Sequence, residues 1–128
     1  MARAGTKAMR MAAAENAVAA PITLPDDASA EDIFIAATPL AKRRLRGQFF
    51  TPAPIAKLMA EWVCEIAPAR VLDPAVGTGM LVRAVAAASP APVSFTAFEI
   101  DPLAADLARV HGPAQMDVRT ADFLQDVR

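Results

Sequence analysis

Three short apolar runs end at or just before carboxylates, and no other feature of the chain restricts its fold as strongly. Residues 70–73 close on Asp73, residues 93–98 lead into Glu99, and residues 116–120 are followed by Asp122. Each run has the length of a buried strand, and each is bounded by turn or breaker residues: Pro74 after the first, the turn 89–92 before the second, Gly112 and Pro113 before the third. The intervening segments have helical spacing. Met80, Leu81, Val82, Ala84 and Val85 suit a helix packed on a sheet, and Leu103, Leu107 and Val110 supply a stripe expected to be buried behind the cap-plus-proline start Asp101-Pro102. The order predicts an α/β fold, the βαβαβ half of a doubly wound parallel sheet with right-handed crossovers. Ligands of such sheets bind beyond the carboxyl ends of the strands, where these three acids fall.

A helical segment is expected upstream. Ser29 with Asp32 resembles a capping box, and Ile33, Phe34, Ala37 and Leu40 line one side of a helix that Pro39 breaks or bends. Further on, Thr51 is expected as an N-cap with Pro52 at the first helical position and Pro54 still in the first turn. Ile55, Leu58, Met59, Trp62, Val63 and Ile66 then form one continuous apolar face, which places Trp62 in the core; Pro68 ends the helix.

Composition narrows the class. A chain of 128 residues holds one domain at most, and a hydrophobic fraction of 55% made largely of alanine predicts a shallow core. No apolar run reaches the roughly 18 residues of a membrane span. Residues 1–28 read as an Ala-rich, disordered extension and residues 29–128 as the partial folded domain. Arg3, Lys7 and Arg10 faintly resemble a targeting peptide, but Glu15 and Asn16 interrupt the alanines, so a cytoplasmic protein is expected. A formal net charge of −1 gives no whole-chain argument for nucleic acid. The distribution is uneven: Lys42, Arg43, Arg44 and Arg46 cluster as a solvated helix face or a phosphate contact, whereas residues 61–127 carry nine acids against four bases. The single cysteine, Cys64, excludes an intrachain disulfide and a cysteine-based metal cluster, and reads as a buried structural thiol. His111 reads as a helix-end residue beside the dipole.

The loop after the first run is Asp73-Pro74-Ala75-Val76-Gly77-Thr78-Gly79, whose glycines let the backbone turn tightly and a ligand approach closely. Val82 stands where the dinucleotide fingerprint needs its third glycine. A carboxylate at Asp73 would repel a pyrophosphate and suits an ammonium, such as the amino-acid end of S-adenosylmethionine. Glu99, twenty residues beyond Gly79, has the position and type of an acceptor for two ribose hydroxyls, a feature that nicotinamide and methyl-donor sites share. Asp122 and Phe123 suit an adenine edge and face, although Asp122 equally suits a helix cap.

Gly47-Gln48-Phe49-Phe50-Thr51-Pro52, the Asp73 to Gly79 loop, Phe98-Glu99-Ile100-Asp101 and Ala121-Asp122-Phe123-Leu124, in that order, resemble the N6-adenine DNA methyltransferases of type I and related restriction-modification systems. The resemblance implies a partial Rossmann-like methyltransferase fold binding S-adenosyl-L-methionine. It implies that Phe50, Thr51 and Pro52 close over the methionine part, and that Asp73, Ala75, Gly77 and Gly79 form the loop beneath it. Glu99 takes the ribose, Ile100 packs on adenine, and Asp122 with Phe123 fixes the adenine edge. Lys42, Arg43, Arg44 and Arg46 become candidates for DNA contact, and specificity or restriction subunits become candidate partners. Val76 departs from the cysteine common in the family's loop. The family's Asn-Pro-Pro-aromatic element, which holds the flipped base, does not occur in these 128 residues, so the chain is expected to be the donor-binding part and inactive by itself. A methyltransferase of another substrate class, a non-catalytic binding module or remnant, and a nicotinamide-dependent dehydrogenase are the rival readings.

Overall fold

The computed structural model describes residues 23–126; most of the expected Ala-rich extension, residues 1–22, lies outside the described residues. Strands β1 (Arg70–Asp73), β2 (Ser94–Glu99) and β3 (Met116–Thr120) form a parallel sheet in the order β1-β2-β3. Helices α1 (Ala30–Ala37), α2 (Leu40–Leu45) and α3 (Ala53–Cys64) precede the sheet. Helices α4 (Met80–Ala88) and α5 (Pro102–His111) make the two crossovers, and the short α6 (Phe123–Asp126) follows β3. The βαβαβ arrangement expected from the alternation is therefore present. Register sets the depth of the acids: Asp73 is level with Ala97, so Glu99 projects two residues further along its strand, level with Thr120.

Caps explain several element boundaries. The Ser29–Asp32 capping box is complete, with the Asp32 amide donating to Ser29 Oγ and the Ser29 amide donating to Asp32 Oδ2. α1 stops at Ala37 and α2 begins after Pro39, so Leu40 starts a new helix instead of continuing the first, and both Leu40 and Ala37 are exposed. Asp101 caps α5, accepting from the Leu103 and Ala104 amides at 2.9 and 3.2 Å. Thr51 does not cap α3, contrary to expectation: Pro52 is the N-cap residue, and its carbonyl accepts from Ile55 and Ala56. The reason is local. With Thr51 as the cap, its N3 donor would be Pro54, which has no amide hydrogen.

The packed faces of α3 and α5 differ from the expected ones in the same way. On α3 the buried stripe is Ala56 and Ala60, continued by half-buried Val63 and Cys64, while Ile55, Leu58 and Met59 are exposed; the helix ends at Cys64, short of Pro68, because Ala67 takes a left-handed φ of +47°, and Ile66 is exposed beyond it. Trp62, expected in the core, is 74% exposed. On α5 the buried face is Ala104, Ala105, Leu107 and Ala108, and Leu103 and Val110 turn outward. Alanine faces let helix backbones approach closely, so the wide side chains end up on the far side. The main core joins Ala60, Val82, Val85, Phe95, Ala108 and Val118, while a second cluster holds Ala30, Phe34, Ala104 and Leu107. Cys64 packs against the main core with its thiol 3.9 Å from the Val85 carbonyl, consistent with a structural role. His111 closes α5, as read from the sequence.

Exposure turns Trp62 into a sharp test. Replacing a buried Trp by Ala costs about 3–5 kcal/mol, whereas a surface change stays within about 0.5 kcal/mol. Trp62→Ala is expected to shift the urea midpoint of the 128-residue chain only slightly; a loss above about 2 kcal/mol would show that the ring is buried in solution.

Candidate functional site

Asp73 ends β1, and its Oδ1 accepts from the Ala75 amide at 3.0 Å, a side-chain turn that bends the chain away from the sheet. Burial pushes the Asp73 carboxyl above the ordinary 3.8, with the Ala75 hydrogen bond pulling the other way. The loop then crosses β2: the Val76 amide donates to the Phe98 carbonyl at 2.9 Å, and the Val76 side chain is buried in the main core. Val76 is thus chiefly a packing residue. Gly77 has φ +58° and Gly79 has φ +96°, left-handed conformations that make glycine the natural residue at both. A Cβ at Gly79 would also come within 3.3 Å of the Arg83 guanidinium.

Glu99 is the pivot of this end of the sheet. Its Oε2 accepts from the Gly77 amide at 2.8 Å, and its Oε1 accepts from the Asp101 amide at 2.9 Å. One carboxylate therefore fixes both the glycine loop and the start of α5, with lone pairs left for a ligand. Two clefts meet there. The larger, about 700 Å³, is lined by Phe50, Thr51, Asp73 and Gly77 among others; the smaller, about 500 Å³, is lined by Asp122 and Phe123. Ala75, Glu99 and Ile100 line both. Pro52 and Gly79 line neither; they shape the start of α3 and of α4.

Asp122 does cap α6, its Oδ1 accepting from the Leu124 amide at 3.0 Å, while also lining the smaller cleft. Phe123 meets Phe98 edge to face at 5.1 Å, and the Arg119 guanidinium lies over Phe98. Of the basic run, Arg43 donates to the Thr38 carbonyl and Arg46 pairs with Asp101 at 3.1 Å, whereas Lys42 and Arg44 lie on the exposed surface.

Two parts of the site were not readable in advance. Asp101, read as a cap and as the end of the Phe98-Glu99-Ile100-Asp101 element, also accepts at Oδ2 from Arg46 and from the side-chain Nε2 of Gln48 at 2.9 Å. Glu31, on α1, accepts from the Thr78 hydroxyl at 2.9 Å and from Arg83, fastening the first helix to the glycine loop. The one advance signal was a polar Gln48 preceding Phe49 and Phe50. Burial pushes the Asp101 carboxyl up, but Gln48, the Ala104 and Leu103 amides and Arg46 together hold it below the ordinary 3.8. A carboxyl with a lowered folded-state value contributes stability that is complete above the unfolded value and is lost as pH falls through the folded one. The difference in melting temperature between wild type and Asp101→Asn is therefore expected to be full at neutral pH. It should shrink only below about pH 4; a difference independent of pH would contradict the charge-assisted bonds.

The family model for N-6 DNA methylase matches residues 32–116, from the first turn of α1 to the start of β3. The chain belongs to this N-6 DNA methylase family. A relative, the Type II methyltransferase M.XamI of Xanthomonas campestris pv. amaranthicola, is 40% identical over 75 residues, which are 57% of this chain. The chain spans 14% of that protein's length. As an N-6 DNA methylase domain, the structure carries a partial Rossmann-like methyltransferase fold with its glycine loop and both clefts at the carboxyl ends of the strands. Asp122 and Phe123 lie beyond the matched residues. Among the described residues, no helix is long and apolar enough to cross a membrane, and no three His, Cys, Asp or Glu side chains are grouped to hold a metal ion.

Proposed function

We propose that the two joined clefts bind S-adenosylmethionine and that this chain is the donor-binding part of a DNA adenine-N6 methyltransferase of a restriction-modification system. The observation that carries the reading is Glu99 at the junction of the clefts, with Asp73 in the larger and Asp122 and Phe123 in the smaller. A ligand with an ammonium at its amino-acid end, a central diol and an aromatic base matches that sequence of groups. Asp73 favours the cation: burial makes its charged form costly, and an ammonium beside it offsets that cost. A dinucleotide fits less well, because its pyrophosphate would meet the same carboxylate.

In this reading the Phe50-Thr51-Pro52 segment covers the methionine end, with Phe50 and Thr51 lining the cleft and Pro52 turning the chain into α3. Ala75 and Gly77 supply the close approach, and Gly79 the left-handed turn that carries the loop into α4. Glu99 accepts from the ribose hydroxyls, Ile100 packs on adenine, and Asp122 with Phe123 holds the adenine edge and face. The bound donor supplies an electrophilic methyl on a sulfonium, and these residues hold it in place by position and charge. Lys42 and Arg44 are the members of the basic run free to approach a DNA phosphate in the role expected for it; Arg43 and Arg46 already serve the fold.

Titration calorimetry of the 128-residue chain is expected to show binding of S-adenosylmethionine and none of NAD; binding of NAD alone would overturn the proposal. Affinity for the donor should fall as acid protonates Asp73, beginning above the ordinary 3.8 because burial raises that group. The chain contains no Asn-Pro-Pro-aromatic sequence, so it is expected to bind the donor and transfer no methyl to DNA. Radiolabelled methyl incorporated into DNA by the purified chain would contradict that.

A further inference from the structure

Four hydrogen bonds converge on the carboxylate of Asp101. Its Oδ1 accepts from the Leu103 and Ala104 amides at the start of α5, and its Oδ2 accepts from Arg46 Nη1 at 3.1 Å and Gln48 Nε2 at 2.9 Å. A carboxylate has about four lone-pair sites, so all are taken by protein donors. Asp101 also donates its own amide to Glu99 Oε1, and Glu99 Oε2 holds the Gly77 amide. The chain of bonds therefore runs from Arg46 and Gln48 through Asp101 and Glu99 to the glycine loop. It joins segments more than fifty residues apart in sequence.

What this circuit holds is specific. Arg46 and Gln48 flank Gly47, at φ +64°, and lead directly into Phe49, Phe50 and Thr51. Phe50 meets Phe34 edge to face at 5.5 Å, and its ring lies 3.9 Å from where a Cβ of Gly77 would stand. Phe50 and Thr51 line the larger cleft together with Asp73 and Gly77 of the loop, and no hydrogen bond from the α2–α3 connection to the β2–α5 turn is found among the described residues apart from those on Asp101. The Asp101 side chain is 8% exposed, so its partners are held in a setting that water and salt screen only partly; Arg46 is 49% exposed.

We infer that Asp101 is a latch that sets the position of the Phe50–Thr51 wall over the larger cleft, with Arg46 and Gln48 as its positioning residues. This rests on the proposed donor site in its assignment of that wall to the methionine end. The proposed ribose residue, Glu99, meets Asp101 through the Asp101 backbone amide, a bond that loss of the Arg46 and Gln48 side-chain contacts leaves in place. The latch therefore affects affinity for the amino-acid end of the ligand selectively.

The test uses Arg46→Met and Gln48→Leu in the 128-residue chain with two ligands. S-adenosylhomocysteine has the amino-acid end, and 5′-methylthioadenosine lacks it. Each variant is expected to bind S-adenosylhomocysteine about tenfold more weakly, the scale of a lost charge-assisted hydrogen bond, and 5′-methylthioadenosine within about twofold of wild type. Arg46→Lys should restore most of the loss, since it returns the charge. Equal weakening of both ligands, or no weakening of either, overturns the latch. A readout independent of ligand accompanies this: hydrogen exchange at residues 47–51 is expected to accelerate about tenfold in Arg46→Met while the amides of α5 keep their protection. Unchanged exchange at 47–51 also overturns the latch. Wild-type chain that binds neither ligand would instead refute the donor site, and the exchange result would still decide whether Asp101 holds the wall.

Discussion

Phe34→Ala is expected to remove about 3–5 kcal/mol of stability. The ring is 1% exposed and sits in the second hydrophobic cluster with Ala30, Ala104 and Leu107, flanked by Ile33 and Phe50. Ala30 and Ala104 are too small to refill the space, and Leu107, Ile33 and Phe50 can relax into only part of it, so a cavity cost adds to the lost burial. A domain of about 100 residues has a total stability of roughly 5–15 kcal/mol, so the variant should sit close to unfolding. The edge-to-face contact with Phe50 gives the change a second consequence: the cleft wall loses its support together with the core. Urea unfolding should show a large drop in midpoint at unchanged slope, and Phe34→Leu should recover most of it because it keeps much of the volume. A midpoint within about 1 kcal/mol of wild type for Phe34→Ala would mean that α1 is not packed on α5 in solution.

The strands were legible because their signals are local. The runs 70–73 and 116–120 were read with the boundaries they have, and the second differs by one residue at its start. The starts of α1 and α5 were likewise legible, since Ser29 with Asp32 and Asp101 with Pro102 act within one turn. The packed faces were not. Hydropathy assigns the core to Trp62, Leu58, Leu103 and Val110, but α3 and α5 bury Ala56, Ala60, Ala104 and Ala108, small side chains that permit close packing where the larger ones would not fit. In so alanine-rich a chain, a stripe of small residues marks the buried side, and the large residues mark the side turned away. Thr51 was misread for another reason, the missing amide of Pro54. The site was legible where it depends on strand ends, at Asp73 and Glu99. It was not legible at Asp101 with Arg46 and Gln48, or at Glu31 with Thr78 and Arg83, because nothing local pairs residues so far apart in sequence.

Glu99→Ala is expected to lower affinity for S-adenosylmethionine by about 100-fold or more. Two charge-assisted hydrogen bonds to the ribose would be lost, each worth about 1.5–3 kcal/mol, and the Gly77 amide would lose its acceptor as well. Glu99→Gln sharpens the argument. Both carboxylate oxygens already accept from backbone amides, so the NH2 group that replaces one oxygen must face a donor at either Gly77 or Asp101. The amide cannot satisfy both loops in either orientation, and Gln should be nearly as damaging as Ala despite its matching shape. Binding of a 2′,3′-dideoxy donor analogue separates the two roles. If Glu99 acts on the ribose, wild type and Glu99→Ala should differ far less for the analogue than for the natural ligand. If it acts only through the loop, the same 100-fold gap should appear with both. Equal affinity of wild type and Glu99→Ala for S-adenosylmethionine would remove Glu99 from the site altogether, and with it the junction on which the donor assignment stands.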